Sequence, residues 1–329
     1  MRLAVIGTGK IVKDAFEALQ DIPAEKITVQ AVFGRPHSRE KAEALAKAYG
    51  VPEVYTDYAE LLAKAPVDFV YIGLVNSAHF DYAKQALLAG RNVILEKPST
   101  SSYAETKELA KLAVEKGLYL FEAVTLLHMP NFEGIRQSLN EIGDIKLIQC
   151  NYSQYSSRYD AYKEGKVLPA LDPAMYGGAL YDINIYNLNF VIGLFGAPEA
   201  IHYTANKGFN GVDTSGVLLL QYTDFTAVCV GAKDSESPCG ITIQGDKGYI
   251  RVDGAPNVLT NFTLAVKGQK EKKMALNAYP HRMVHEFLDF ADIYARGDYE
   301  QMKEGLKTSK LVIQTAERAG ESAGIPFGK

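Results

Sequence analysis

Short apolar runs alternate with amphipathic stretches over about the first 120 residues of the chain. Leu3 to Ile6 reads as a strand, and a helical pattern follows through Ala18-Leu19. Ile27 to Phe33 is a second strand, and the alanine-rich stretch Glu40 to Tyr49 is a helix. The alternation repeats with strands at Asp68 to Ile72, Val93 to Leu95 and Leu118 to Phe121, separated by helices at His79 to Ala89 and Tyr103 to Glu115. Such repeats predict βαβ units on a parallel sheet with right-handed crossovers.

The pattern changes near residue 123. A long strand is predicted over Ile145 to Tyr155, and Gly177-Gly178 precedes a helix running to about Leu194. From His202 to Val266, β-branched runs are punctuated by Asn210-Gly211, Gly245-Asp246 and Asp253-Gly254, which predicts an antiparallel meander. Two amphipathic helices, Met283 to Arg296 and Glu300 to Ala319, close the chain. The expected division is residues 1–122 and residues 123–329.

Composition narrows the class. With 329 residues and 47% apolar content, the chain can build two cores. A net charge of -4 gives no electrostatic reason to expect a nucleic acid or anionic membrane as partner. Cys150, Cys229 and Cys239 are too scattered for a disulfide framework or a CxxC metal site. No apolar run is long enough to span a membrane, and Met1-Arg2 leads straight into a strand, so a soluble cytoplasmic protein is expected.

Chemistry enters at the carboxyl ends of the predicted parallel strands, where ligands of open α/β sheets bind. Val5-Ile-Gly7-Thr-Gly9-Lys-Ile-Val12 follows a strand and opens a helix. Gly7 permits the tight turn, Gly9 lets a pyrophosphate approach the backbone, and the helix N-terminus favours its charge. Val12 holds the third glycine position, which predicts a loosened helix–strand contact. The second strand ends Phe33-Gly34-Arg35, with Ser38 and Arg39 beyond and no acid between Thr28 and Arg39. An acid there would bind a ribose 2′-hydroxyl, and an arginine accepts a 2′-phosphate, so NADP(H) is favoured over NAD(H). Asn76 or Ser77, after the strand at Asp68 to Ile72, suits a helix N-cap and faces the same crevice. Asn92-Val-Ile-Leu-Glu-Lys-Pro98 delivers Lys97 to a strand end, and the proline restricts the lysine backbone.

These segments together resemble the glucose–fructose oxidoreductase/inositol dehydrogenase family (Gfo/Idh/MocA) over nearly the whole chain. The resemblance rests on Gly7-Thr-Gly9, Asn76-Ser-Ala-His79, the run from Ala86 to Pro98, and Gly177-Gly-Ala-Leu-Tyr-Asp-Ile-Asn-Ile-Tyr186. It implies an N-terminal Rossmann domain with a doubly wound parallel sheet and a C-terminal α+β domain with an open, mostly antiparallel sheet. It also implies hydride transfer between a nicotinamide cofactor and a sugar, polyol, diol or related carbonyl compound. A homodimer or higher homo-oligomer through the C-terminal sheet is implied too. The expected cofactor set, from the residues and the resemblance together, is Gly7, Thr8, Gly9, Lys10 and Ile11, then Gly34, Arg35, Ser38 and Arg39, then Asn76, His79, Glu96 and Lys97. Lys97 is implied to contact the reacting hydroxyl, and Asp182 and Tyr186 fall on the acid and final positions of the second motif. Asn184 replaces a usual glycine there, and the tyrosine variant looks like the dimeric dihydrodiol dehydrogenase branch.

Asp182 and Tyr186 are spaced i, i+4, which places them on one face of the predicted helix. A tyrosine can move the proton that accompanies hydride transfer if a nearby cation favours its phenolate. Lys97 would be that cation. Tyr152, Tyr155, Arg158, Tyr159 and Tyr162 could line a substrate pocket, and His128 could stand behind it. His281 and His285 lack a third ligand and read as surface residues; no metal is expected. A sensor that binds a dinucleotide without turnover remains the alternative.

Overall fold

The computed structural model describes residues 1–328. Two compact units emerge: Met1–Ala123 with His281–Lys310, and Val124–Pro280 with the residues from Leu311 onward. The stretch 281–310, assigned to the second domain from sequence, counts with the first unit by its contacts.

The first unit holds a six-stranded parallel sheet in the order β3-β2-β1-β4-β5-β6. Its strands are β1 (Arg2–Ile6), β2 (Thr28–Phe33), β3 (Glu53–Tyr55), β4 (Phe69–Ile72), β5 (Asn92–Glu96) and β6 (Leu120–Ala123). Its crossover helices are α1 (Lys10–Gln20), α2 (Arg39–Tyr49), α3 (Tyr58–Lys64), α4 (His79–Leu88) and α5 (Tyr103–Lys116). β4 and β5 are buried along their whole length, as central parallel strands covered on both faces must be. Strand order reverses between β1 and β4, which sets a crevice at their carboxyl ends. β3 and α3 are additions to the expected elements; the Asp57 carboxylate caps α3 by accepting from Glu60 N.

The second unit holds an eight-stranded sheet in the order β14-β13-β12-β11-β7-β10-β9-β8. The strands are β7 (Ile145–Ser153), β8 (Ala200–Lys207), β9 (Asp213–Gln221), β10 (Thr226–Ala232), β11 (Gly240–Gly245), β12 (Gly248–Asp253), β13 (Phe262–Val266) and β14 (Lys272–Met274). All its ladders are antiparallel except β7 with β10. Cys150 and Cys229 face each other across that parallel pair as buried free thiols. The helices lying wholly within this unit are α6 (Pro130–Ser138), the single-turn α7 (Tyr159–Lys163) and α8 (Ile185–Phe195).

Two helices close the chain, α9 (Arg282–Arg296) and α10 (Tyr299–Ser322). α9 lies in the first unit through its aromatic face. Phe290 stacks on Phe121 at 4.6 Å between ring centroids, and Tyr294 meets Phe69 edge-on at 4.9 Å. No helix among the described residues is long and apolar enough to cross a membrane.

Candidate active site

In the first unit, the turn after β1 has the expected form. Gly7 has φ +121°, and a Cβ there would meet the Gly73 carbonyl oxygen at 2.6 Å. Gly9 borders open space, so the backbone at the N-terminus of α1 can be approached closely. The first turn of α1 carries no acid. A groove of about 580 Å³ starts there at Thr8, Gly9 and Lys10 and runs between α1 and α2, where Lys13, Glu17, Lys41, Leu45 and Tyr49 are among its lining residues. Lys10, the open glycine backbone and the helix N-terminus fit the phosphates of a dinucleotide. Ile11 follows on the first turn of α1.

The expected loosening at Val12 does not occur. Val12 is fully buried, and Gly73, at the end of β4, makes room for it; a Cβ on Gly73 would meet Val12 Cγ2 at 2.8 Å. The glycine missing from the helix is supplied by the neighbouring strand end.

Gly34 is buried after β2, where a Cβ would press on Ala42 at 2.9 Å. Arg35 is exposed and heads the 3-10 turn Pro36–Ser38. Arg39 pairs with Glu43 at 2.7 Å on the exposed face of α2, so Arg35 is the better placed of the two to read a ligand. Asn76 opens a 3-10 turn, Asn76–Ala78, ahead of α4, and neither element has a side-chain cap. The N-cap positions of the two elements fall on Val75 and Ala78, so neither Asn76 nor Ser77 holds the N-cap position expected for it.

His79 is fully buried. Its Nδ1 lies 2.9 Å from the Pro98 carbonyl oxygen and its Nε2 3.2 Å from that of Leu74. Burial lowers its pKa below the usual imidazole range, while the two carbonyls oppose the shift. The ring thus ties the turn after β4 to the turn after β5, and acts through those turns.

Lys97 is half-buried, between buried Glu96 and buried Pro98, and the Lys97–Pro98 peptide is cis. Glu96 points inward: its Oε1 accepts a hydrogen bond from Tyr71 Oη at 2.7 Å. Burial raises its pKa, and the Tyr71 bond and Lys97 pull it back. Glu286, on α9, is an acid that sequence reading missed. It is fully buried, both carboxyl oxygens lack a hydrogen-bond partner, and burial with the charge of Glu96 pushes it well above the carboxylate range. Its only sequence signal is an acid on the apolar face of an amphipathic helix.

In the second unit, Gly177 and Gly178 are required by space. A Cβ on Gly177 would strike the Pro169 carbonyl, and one on Gly178, at φ +116°, would strike Asp213 Oδ1. The chain then enters a π-turn, Leu180–Asn184, before α8. Asp182 lies in that turn and Tyr186 in α8, so the regular i, i+4 face predicted for the pair is interrupted by a wider turn, a form frequent at functional sites. Asn184 does not disturb the backbone. Its side chain is buried against the sheet, donating from Nδ2 to the Cys229 carbonyl at 3.1 Å, and Gly231 makes the room. Tyr186 is buried, its ring 5.9 Å from that of Tyr152. Tyr155, Tyr159 and Tyr162 form a ladder of rings that continues to Phe209, with Arg158 exposed beside it. His128 is half-buried after the turn Thr125–His128.

Asp182 Oδ2 accepts from Lys233 Nζ at 2.6 Å, a partner that no sequence pattern announces. Asp213 is a second unannounced acid. Its Oδ2 accepts from Leu180 N at 2.6 Å and Tyr203 Oη at 2.7 Å, which fixes the start of the π-turn. Burial pushes its pKa up to about 6. A carboxyl whose folded pKa is raised adds stability that is full below the unfolded value near 4 and is lost as pH rises through about 6. Asp213→Asn cannot titrate. The stability advantage of the native protein over Asp213→Asn should therefore fall by on the order of 3 kcal/mol between pH 4 and pH 7. Urea unfolding of both proteins at the two pH values measures it, and a pH-independent difference would refute it.

His281 caps α9 by accepting from Met283 N at 3.4 Å, and His285 is buried, not at the surface as expected. Among the described residues, no group of three or more His, Cys, Asp or Glu could hold a metal ion.

Comparison with known proteins accords with this arrangement. Residues 1–124 match the model described as "Oxidoreductase family, NAD-binding Rossmann fold", and residues 137–251 match the GFO/IDH/MocA C-terminal domain. The chain is 30% identical to the scyllo-inositol 2-dehydrogenase (NADP(+)) of Bacillus subtilis, over 99% of this chain and 98% of that one. It is 32% identical to the trans-1,2-dihydrobenzene-1,2-diol dehydrogenase of Xenopus tropicalis, over 98% of each chain.

The chain belongs to the Gfo/Idh/MocA oxidoreductase family.

It is an NAD(P)-dependent oxidoreductase, and both curated relatives align along its whole length. Solved structures share the fold at lower identity. A Synechocystis biliverdin reductase in complex with biliverdin and NADP+ superposes with a TM-score of 0.80 at 20% identity, covering 98% of this chain and 99% of that one. A 3-ketoreductase from Actinomadura kijaniata, in complex with NADP and TDP-benzene, gives 0.80 at 23% identity and 95% of each chain. In this Gfo/Idh/MocA member, the Rossmann unit carries the glycine turn, Arg35 and Lys97, and the second unit carries Asp182 and Tyr186.

Proposed function

We propose that this chain is a cytoplasmic, homo-oligomeric dehydrogenase/reductase that prefers NADP(H), also admits NAD(H), and acts on a polyol, sugar or vicinal diol. The observation that carries the cofactor reading is the end of β2. Arg35 stands exposed beyond buried Gly34, and no acid occurs between Thr28 and Arg39. The substrate class follows the two whole-length relatives, one named for an inositol and one for a diol.

When bound, the nicotinamide gives or takes the hydride. In this reading Lys97 contacts the substrate oxygen and stabilises its negative charge, and Tyr186 assists transfer of its proton. Asp182 holds a substrate hydroxyl. Lys10 and the open backbone at Gly9 hold phosphate. The homo-oligomer forms through the second sheet, where Val217 and Leu219 of β9 are 40% and 38% exposed.

The test is the ratio of kcat/KM for NADPH to that for NADH, with inositols and vicinal diols as substrates, in the native protein and in Arg35→Ala. NADPH should be preferred. Arg35→Ala should cost roughly 1–3 kcal/mol with NADPH and little with NADH, since only the former offers a 2′-phosphate. A native preference for NADH refutes the NADP reading. Stoichiometric cofactor binding with no turnover on any polyol, sugar or diol would favour a sensor.

A further inference from the structure

Lys233 is the least expected cation in the molecule. It follows β10 directly, and its side chain is 2% exposed. Its backbone is held on both sides: Lys233 N donates to the Thr214 carbonyl at 2.8 Å, and Ser156 N donates to the Lys233 carbonyl at 2.9 Å. Its ammonium donates to two acceptors, the Ala170 carbonyl at 2.5 Å and Asp182 Oδ2 at 2.6 Å. Ala170 also accepts from Gly178 N at 3.1 Å. One buried side chain thus bridges the loop before Gly177-Gly178 and the π-turn after it.

Burying an ammonium carries a desolvation penalty, and an apolar side chain of similar volume often serves stability as well or better. Packing alone therefore gives no reason for a lysine here. Its acidic partner is different in kind from its surroundings: the Asp182 side chain is 41% exposed, while Leu180, Tyr181, Ile183 and Asn184 around it are buried. The pair joins a rigid, interior cation to a carboxylate that emerges at the surface of the unit.

We propose that Lys233 is a positioning residue for the reaction, clamping Asp182 as an ionised carboxylate in one orientation. This rests on the reading of Asp182 as a substrate-holding residue. Lys233 cannot do that work itself, because it is enclosed and its donors are turned to Ala170 and Asp182. Other acids near the pair include Asp213, with Tyr203 behind it, Asp234, which accepts from Thr214 and Ser215, and Asp172, which accepts from Ala174 N. Asp213 is turned to Leu180 N and Tyr203, and Asp234 to the two hydroxyls, so Asp182 is the acid that receives the ammonium.

The experiment compares Lys233→Met, Lys233→Gln and Lys233→Arg, each alone and with Asp182→Asn. It reads kcat/KM against pH, the NADPH dissociation constant and thermal stability. Lys233→Met should lower kcat/KM by about 10-fold or more and move the acid limb of the profile up, with NADPH binding unchanged. Lys233→Gln keeps a donor for Ala170 without the charge and should show the same limb shift, so the test stands even if the methionine variant fails to fold. Lys233→Arg should hold the limb near its native position. In the Asp182→Asn background, removing Lys233 should cost less than about 3-fold, because its partner is already gone. Equal losses in both backgrounds, or an acid limb that does not move, would overturn the proposal while leaving Asp182 in the site. Native turnover in Asp182→Asn alone would instead overturn the reading of Asp182 and the proposal with it.

Discussion

Lys97→Met should lower kcat by about 10²-fold or more, the loss typical of a positioned proton-transfer or charge-stabilising group. Methionine keeps most of the apolar stem of a half-buried lysine and removes only the ammonium, so the turn should survive. Pro98, Ser99 and Thr100 behind it are buried, and His79 and Glu122 hold that turn through the Pro98 carbonyl and Ser99 N. NADPH affinity should change far less than kcat, since the groove at Thr8, Gly9 and Lys10 does not depend on Lys97. Steady-state turnover with NADPH titration by fluorescence separates the two quantities. Near-normal kcat would remove Lys97 from the chemistry. The loss of a cation beside Glu96 should also raise that carboxyl further, because Lys97 is one of the groups that hold it down.

Tyr186→Phe should lower kcat by a comparable factor, about 10²-fold, while fold and cofactor binding persist. The ring is buried in α8 beside Tyr152, and phenylalanine fills the same space, so only the hydroxyl is lost. A phenol that gives or takes the proton also contributes the basic limb of the pH–rate profile, which should move or vanish in the variant. The measurement is kcat against pH over the alkaline range for both proteins. An unchanged profile with unchanged kcat would return Tyr186 to a packing role and leave proton transfer to Lys97.

The parts of the molecule that sequence declares are those whose cause is local. The β1–turn–α1 unit, the buried run Asn92 to Glu96 and the hairpin turns each depend on neighbours a few residues away, so periodicity and glycine placement expose them. Glu53 to Lys64 escaped notice because a three-residue strand and a two-turn helix are too short for a period to show. What sequence could not show is compensation at a distance. Val12 is legible as a missing glycine, but Gly73, which answers it, lies on another strand. Asn184 and Gly231 repeat the lesson across the second sheet. Lys233 and Asp213 were invisible for the same reason: their partners, Asp182 and Leu180, lie 51 and 33 residues away, and no spacing rule connects them. The π-turn was hidden because its residues suit an ordinary helix, and only the space under Gly178 and the anchor at Leu180 decide otherwise.

The single parallel ladder in the second sheet has a consequence for how that unit assembles. Strands β8, β9 and β10 can pair one after another across short connections, and so can β11 to β14. β7 belongs to neither series, yet it sits between them, joined to β10 and β11 from far earlier in the chain. Closing those long loops carries an entropy cost that neither meander bears alone. Two locally encoded ribbons can therefore form early, and the seam at β7 joins them late, since non-local pairing is the slow step of sheet formation. The same seam runs beside Cys150 and Cys229, so the burial of those two thiols reports when the sheet becomes one piece.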